Sequence, residues 1–185
     1  AWARYEPHFK AVERGELPKG HKVFTCSISD FFIAQAGPWR EEAWDIMLRC
    51  PDLTFQVLTK RPGRMAAWAN GSERFTAHPW HDNIWAGTSV ESTKYLGRLD
   101  VLARVPAKVR FASFEPLLER LKWLDIHVGL PARLGNPSIH QAIIGGESGP
   151  GYRPMEIAWM EDIVRQCQAA GVAVYVKQDS GPRPG

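Results

Sequence analysis

Six short runs of β-forming residues, separated by segments of helical spacing, constrain this 185-residue chain more than any other feature. The runs extend from His21 to Cys26, Thr54 to Thr59, Ile84 to Val90, Val109 to Phe114, Gln141 to Gly145 and Val172 to Val176. From Phe31 to Arg49 the apolar residues Ala43, Ile46, Met47 and Cys50 fall on one helical face, and Cys50-Pro51-Asp52 stops that helix. A short helix is predicted after Pro62 through Trp68, another from Thr93 to Val105, and a third through Leu124. The clearest runs from Met155 to Ala170, with Pro154 before it and Gly171 after it. Strands alternating with helices pair in parallel, in an open doubly wound sheet or in a barrel. Every run here ends in polar, reactive residues, whereas an open sheet gathers such residues near one switch point. The pattern therefore favours a complete or partial parallel (β/α) TIM-like barrel of the α/β class, with six βα units.

The length fits a single domain over residues 1–185. Hydrophobic residues at 44% and charged residues at 23% are ordinary for a globular chain with its own core. A net charge of +3 argues against strong non-specific binding to DNA. Cys26, Cys50 and Cys167 are far apart and make no C-x-x-C pair, so a reducing cytoplasm is the expected home. No leader or membrane-spanning run is found. The chain opens on a helix-like segment, Ala1 to Arg14, and without Met. The expectation is a piece of a longer protein that lacks an upstream strand.

The strand ends carry the chemistry. They bring Ser27, Ser29 and Asp30; Thr59, Lys60 and Arg61; Ser89 and Glu91; Ser113 and Glu115; Glu147 and Ser148; and Lys177 and Gln178. In a parallel barrel these residues converge on one mouth, where glutamates and lysines perturb one another's ionisation. After the fifth run, Gly145-Gly146-Glu147-Ser148-Gly149-Pro150-Gly151 forms a glycine-rich loop with a carboxylate inside it. Such a loop can cradle an anion with its N–H groups. The embedded Glu147 repels phosphate, which shifts the expectation to an amine or a metal, with Lys177 as its neighbour. Lys60-Arg61-Pro62-Gly63-Arg64 is a basic cluster able to hold a phosphate or carboxylate. His78-Pro79-Trp80-His81-Asp82 has ligand residue types, but its polar, proline-broken setting reads as a surface loop.

Six segments stand out in register: Phe24 to Phe32, Phe55 to Pro62, Trp85 to Glu91, Arg110 to Leu117, Ile144 to Gly151 with Arg153-Pro154, and Val176 to Gln178. Together they resemble the phage gene-product thirty-seven/sixty-eight family. The resemblance covers nearly the whole chain. It implies a TIM-like barrel related to radical S-adenosylmethionine enzymes, with a three-cysteine motif for an iron–sulfur cluster near the N-terminus. That triplet is absent here, so a [4Fe–4S] cluster and S-adenosylmethionine are expected of the full-length protein and not bound to this chain. Gly145-Gly146-Glu147 is similar to the glycine-glycine-glutamate element that contacts the methionine amine in such enzymes, although there it follows an early strand.

The resemblance implies catalytic roles for Glu91, Glu115, Glu147, Lys60 and Lys177, and cofactor contacts from Gly145, Gly146, Glu147, Ser113 and Ser89. Asp30, Arg61, Gln178 and Arg153 would bind substrate, a small molecule or a nucleic-acid component; no metal ligand is assigned. Two other readings stand beside this one. The glutamates could hold Mg²⁺ or Mn²⁺ in a hydrolase or nuclease, with Lys60 against phosphate charge. Alternatively the barrel binds nucleic acid or a partner protein without catalysis.

Overall fold

A computed structural model describes residues 2–26, 29–73, 75, 80–122 and 139–183. Its strands are β1 (His21–Thr25), β2 (Leu53–Thr59), β3 (Ile84–Ser89), β4 (Arg110–Phe114), β5 (Gln141–Gly145) and β6 (Ala173–Gln178). All neighbours are parallel, and the order is β1-β2-β3-β4-β5-β6. A doubly wound sheet would reverse its order part-way, and this one never does. The six strands form a curled half-barrel. Among the described residues no pairing joins β6 to β1, so the arc is open.

The helices are α1 (Trp2–Glu13), α2 (Gly37–Leu48), α3 (Pro62–Gly71), α4 (Gly97–Leu102) and α5 (Ile157–Ala169). Prolines at the first turns of α2 and α3 cost no hydrogen bond there and preset the backbone for a helix. The helix read from Phe31 starts only at Gly37, the one read from Thr93 to Val105 is confined to Gly97–Leu102, and several strand limits shift by a residue or two. Three further differences have a visible cause. Residues 115–122 carry no helix, because the chain after Glu115 is tied down as a loop: Leu117 N–H donates to the Gly145 carbonyl and Leu118 N–H to that of Glu91. Met155 lies outside α5, since its N–H donates to Ser180 Oγ rather than into a helix. Cys26 falls outside β1, with a φ of 57° that takes it out of extended backbone. Ser27, the dipeptide His78-Pro79 and the loop read from Gly129 to Ser138 lie outside the described residues.

The main core lies on the convex side of the sheet, under the helices. Val57, Ala86, Ala112, Phe114, Ala142 and Ile144 point there, against Trp44, Met47, Met65, Leu99, Ile163 and Cys167. Edge-to-face contacts join Trp44 to Trp80 and Trp68, with ring centroids 4.6 and 4.9 Å apart. Such pairs add about 0.5–1.5 kcal/mol each beyond the area they bury. Asn83 Nδ2 reaches the carbonyls of Met47, Cys50 and Leu53 at 3.0–3.1 Å and so fastens the α2–β2 turn to the start of β3. No helix among the described residues is long and apolar enough to cross a membrane.

The alternate residues of each strand point the other way, onto the concave side. Phe111 and Ile143 are buried there, outside the main core cluster. Phe24 and Tyr175, on the two edge strands, are 42% and 55% exposed. A closed barrel would pack this face. Here it is a surface.

Candidate functional site at the concave face and strand ends

The concave face encloses a cavity of about 830 Å³. Its walls are Lys22, Phe24 and Cys26 of the first strand region, Gln56 and Leu58 of β2, Gln141 and Ile143 of β5, and Tyr175 of β6. At the C-terminal ends of the strands, Asp30, Lys60, Arg61, Ser89, Ser113, Glu115 and Lys177 form its rim. Apolar, aromatic and amide groups therefore line the interior and the ion-paired charges lie at the C-terminal strand ends, with Lys22 standing at the opposite end of β1.

The rim is a set of ion pairs that cross between strands. Asp30 is the most heavily bonded of its acids. Its Oδ1 accepts from the Thr59 hydroxyl at 2.7 Å and the Phe32 N–H at 2.8 Å. Its Oδ2 accepts from the Lys60 N–H and from Arg61 Nη1, both at 2.9 Å. Burial opposes its charge, but the Thr59 hydroxyl, the two N–H groups and Arg61 outweigh that and hold its carboxyl below the ordinary value. Next along, Glu91 is only 5% exposed and lies between Lys60 and Arg98. Arg98 also donates to the Ser89 carbonyl at 2.8 Å and lies 4.0 Å over the Tyr95 ring. Glu115 takes Lys177 at 2.6 Å. Three carboxylates thus meet four cations at the rim, one positive charge in excess.

The glycine-rich loop has a different part. Gly146 N–H donates to the Gln178 carbonyl, Gly149 N–H to that of Gly181, and Gly181 N–H returns to Glu147. Gln178 Nε2 donates in turn to the Gly146 carbonyl. A Cβ at Gly146 would meet the Ser180 nitrogen at 2.2 Å, so glycine is required for this close approach. The N–H groups of Gly146 and Gly149 are thus committed to carbonyls and are not offered to an anion. Glu147 is gripped by Arg153, which donates from Nε at 2.8 Å, from Nη2 at 2.9 Å and from its backbone N–H at 2.8 Å. That fork pulls the Glu147 carboxyl down to about 2. Lys177, expected beside Glu147, is instead the partner of Glu115.

The chain as a whole is matched by one family. The sequence model of a family described as a protein of unknown function (DUF5131) covers residues 5–183. The chain belongs to that family. No curated protein and no solved structure matches it. Membership of DUF5131 assigns no activity, so the site is argued from its own groups.

Of the residues singled out from sequence, Asp30, Lys60, Arg61, Ser89, Ser113, Glu115 and Lys177 meet at the cavity. Glu91 is behind them, and Gly145, Gly146, Glu147, Gln178 and Arg153 build the adjoining loop. Sequence reasoning missed Lys22, Phe24, Gln56, Leu58, Gln141, Ile143 and Tyr175, and also Arg98. The signal was present: Lys22 and Phe24, Gln56 and Leu58, and Tyr175 and Lys177 are each two apart on a strand and share a face. Among the described residues no group of three His, Cys, Asp or Glu side chains is placed to hold a metal ion.

Proposed function

We propose that this DUF5131 chain is a barrel-type enzyme that binds a small charged molecule on its concave face, related in its chemistry to radical S-adenosylmethionine enzymes. One observation carries the reading: a cavity of about 830 Å³ with an aromatic interior and all its ion-paired groups at the C-terminal strand ends. Parallel barrels do their chemistry at that end, and the volume is in the range of small-molecule sites. The resemblance of six strand-end segments to the phage family supplies the radical chemistry and a phage-related role, and the scattered cysteines supply the cytoplasmic setting.

Although the resemblance alone leads to no S-adenosylmethionine on this chain, the rim groups fit a zwitterion such as its methionine end, and on this reading the chain binds it without the cluster. Glu115 can receive an ammonium group while Lys60, Arg61 and Lys177 surround a carboxylate. When bound, that cofactor would supply a methyl group for transfer; hydrogen abstraction would need an electron from the iron–sulfur cluster expected only of the full-length protein. The cysteines do not fit an iron–sulfur cluster. Cys50 and Cys167 are fully buried in the convex core, away from the cavity, and burial pushes the Cys167 thiol up to about 12, opposite to what a thiolate ligand needs. Only Cys26 reaches the cavity.

The hydrolase reading has less support, because the rim carboxylates are already engaged by Lys60, Arg61, Arg98 and Lys177. A divalent ion would have to displace those cations.

Titration calorimetry with S-adenosylmethionine tests the proposal. Saturable one-to-one binding is expected, about tenfold weaker in Glu115→Gln, on the scale of one lost charge-assisted contact. A folded protein that takes up no S-adenosylmethionine at millimolar concentration would sink the cofactor class.

A further inference from the structure

Two amide side chains in the cavity interior have no task in the fold. Gln56, on β2, is 8% exposed and lines the cavity, and its amide makes no hydrogen bond to another described residue. Gln141, on β5, also lines the cavity, and its Oε1 is buried with no hydrogen-bond partner. A buried amide oxygen left unpaired costs on the order of 1–3 kcal/mol, so Gln141 Oε1 calls for an explanation, and Gln56 adds a second unengaged amide to the same cavity. Their terminal torsions are broad, and each amide can present donor or acceptor inward. Around them are aromatic faces: Phe24 and Tyr175 line the same cavity from the two edge strands, and both are open to it. Trp85, beside Gln56 in the β2–β3 register, carries the Lys22 ammonium 4.9 Å from its ring centroid.

Amides that offer paired donors and acceptors, next to exposed aromatic faces, match the two ways proteins read a nucleobase: by its hydrogen-bonding edge and by stacking. A plain hydrocarbon ring would leave both amides unpaired. We propose that the cavity interior of this chain is a nucleobase subsite, with Gln56 and Gln141 reading the base edge and Phe24 and Tyr175 contacting its faces. The base belongs to a substrate nucleotide, whose phosphate is directed to Lys60, Arg61 and Lys177 at the rim. This assignment rests on the reading of the cavity as a binding site, and it names the substrate class. It does not depend on the radical chemistry.

The test is calorimetry of the whole chain with AMP, GMP, CMP, UMP and the base-less control ribose 5-phosphate, with and without saturating S-adenosylmethionine. One nucleotide is expected to bind at least about tenfold more tightly than ribose 5-phosphate and than the other bases. Gln56→Leu and Gln141→Leu, close in shape to the native side chains, should flatten that preference and leave ribose 5-phosphate binding unchanged. Lys177→Met should weaken every phosphate ligand alike. Equal affinity for ribose 5-phosphate and the nucleotides would overturn the subsite, and so would no binding of any of them. A base preference that survives both glutamine variants would overturn the assignment to these residues. Displacement of the nucleotide by S-adenosylmethionine would give the interior to the cofactor's adenine and overturn the substrate assignment. Base-selective binding without any S-adenosylmethionine binding would keep the subsite and remove only the radical chemistry. The ribose 5-phosphate comparison uses unmodified protein, so it decides even where a variant fails to fold.

Discussion

Lys177 Nζ reaches Glu115 Oε1 at 2.6 Å from β6 to the end of β4, passing over β5 at Gly145. A Cβ at Gly145 would stand 3.3 Å from Glu115 Cδ, so glycine there leaves the path of the ion pair clear. Gly145→Val should push the Glu115 carboxylate off Lys177, whereas Gly145→Ala needs a yield of only a few tenths of an ångström. Both side chains are partly exposed, at 23% and 47%, so the pair adds at most about 1 kcal/mol to stability. Lys177→Met is therefore expected to move the thermal midpoint by less than ~4 °C and yet weaken binding of an anionic ligand about tenfold or more. Melting curves beside calorimetry separate the two effects. A large loss of stability without loss of affinity would make the pair a structural strut.

The Glu147–Arg153 fork predicts a specific response to acid. The Glu147 carboxyl is held near 2, below its ordinary 4.5. A depressed carboxyl adds stability that is full above the ordinary value and is lost as pH falls through the folded one. Arg153→Met removes the fork. The gap in unfolding midpoint between the native chain and this variant should be constant from pH 7 to about 5. It should shrink between about 4.5 and 2. A gap that stays constant down to pH 2 would mean that the pairing contributes nothing.

The strand runs were legible because β-forming residues cluster and turn residues bound them; Gln141–Gly145 comes out with the limits read from sequence. The convergence of the strand ends was legible too, since parallel strands must end on one side. What could not be read is who pairs with whom. Glu115 and Lys177 are 62 residues apart, and their meeting depends on a glycine in a strand that neither belongs to. Nor does periodicity separate a packed inner face from an open one. Phe24 and Tyr175 look like core residues in sequence, and they are exposed only because β1 and β6 are edges.

Gly87 and Phe111 give a packing test on the concave side. They are register partners on β3 and β4, and a Cβ at Gly87 would meet the Phe111 ring at 2.2–2.5 Å. Phe111 is fully buried, so the ring has little room to move away. Gly87→Ala should cost about 1–3 kcal/mol through overpacking. Phe111→Leu in the same chain should recover part of that loss, a coupling visible in a double-mutant cycle by urea unfolding. Strictly additive costs would show that the ring does not occupy this space.

Asp30 tests whether the rim is built by its acids or merely decorated by them. Its two oxygens serve four donors: Thr59, Phe32, Lys60 and Arg61. Thr59 Oγ1 in turn accepts from the Arg61 N–H at 2.9 Å, so one carboxylate fixes the whole β2 exit. Asp30→Ala strands the Thr59 hydroxyl and two backbone N–H groups in a half-buried site. The expected cost is about 2–4 kcal/mol, below the sum of separate losses because water reaches part of the site. For a chain of this length that is a fall of ~5–12 °C in thermal midpoint. Asp30→Asn should not restore it, because an amide NH₂ turned toward Lys60 N–H and Arg61 sets donor against donor. Stability of Asp30→Asn equal to the native chain would show that the charge is dispensable. Because the native carboxyl titrates below its ordinary value of 3.8, the gap between native and Asp30→Asn should begin to narrow as pH falls through 3.8 and go on narrowing until the folded carboxyl itself takes up a proton at lower pH.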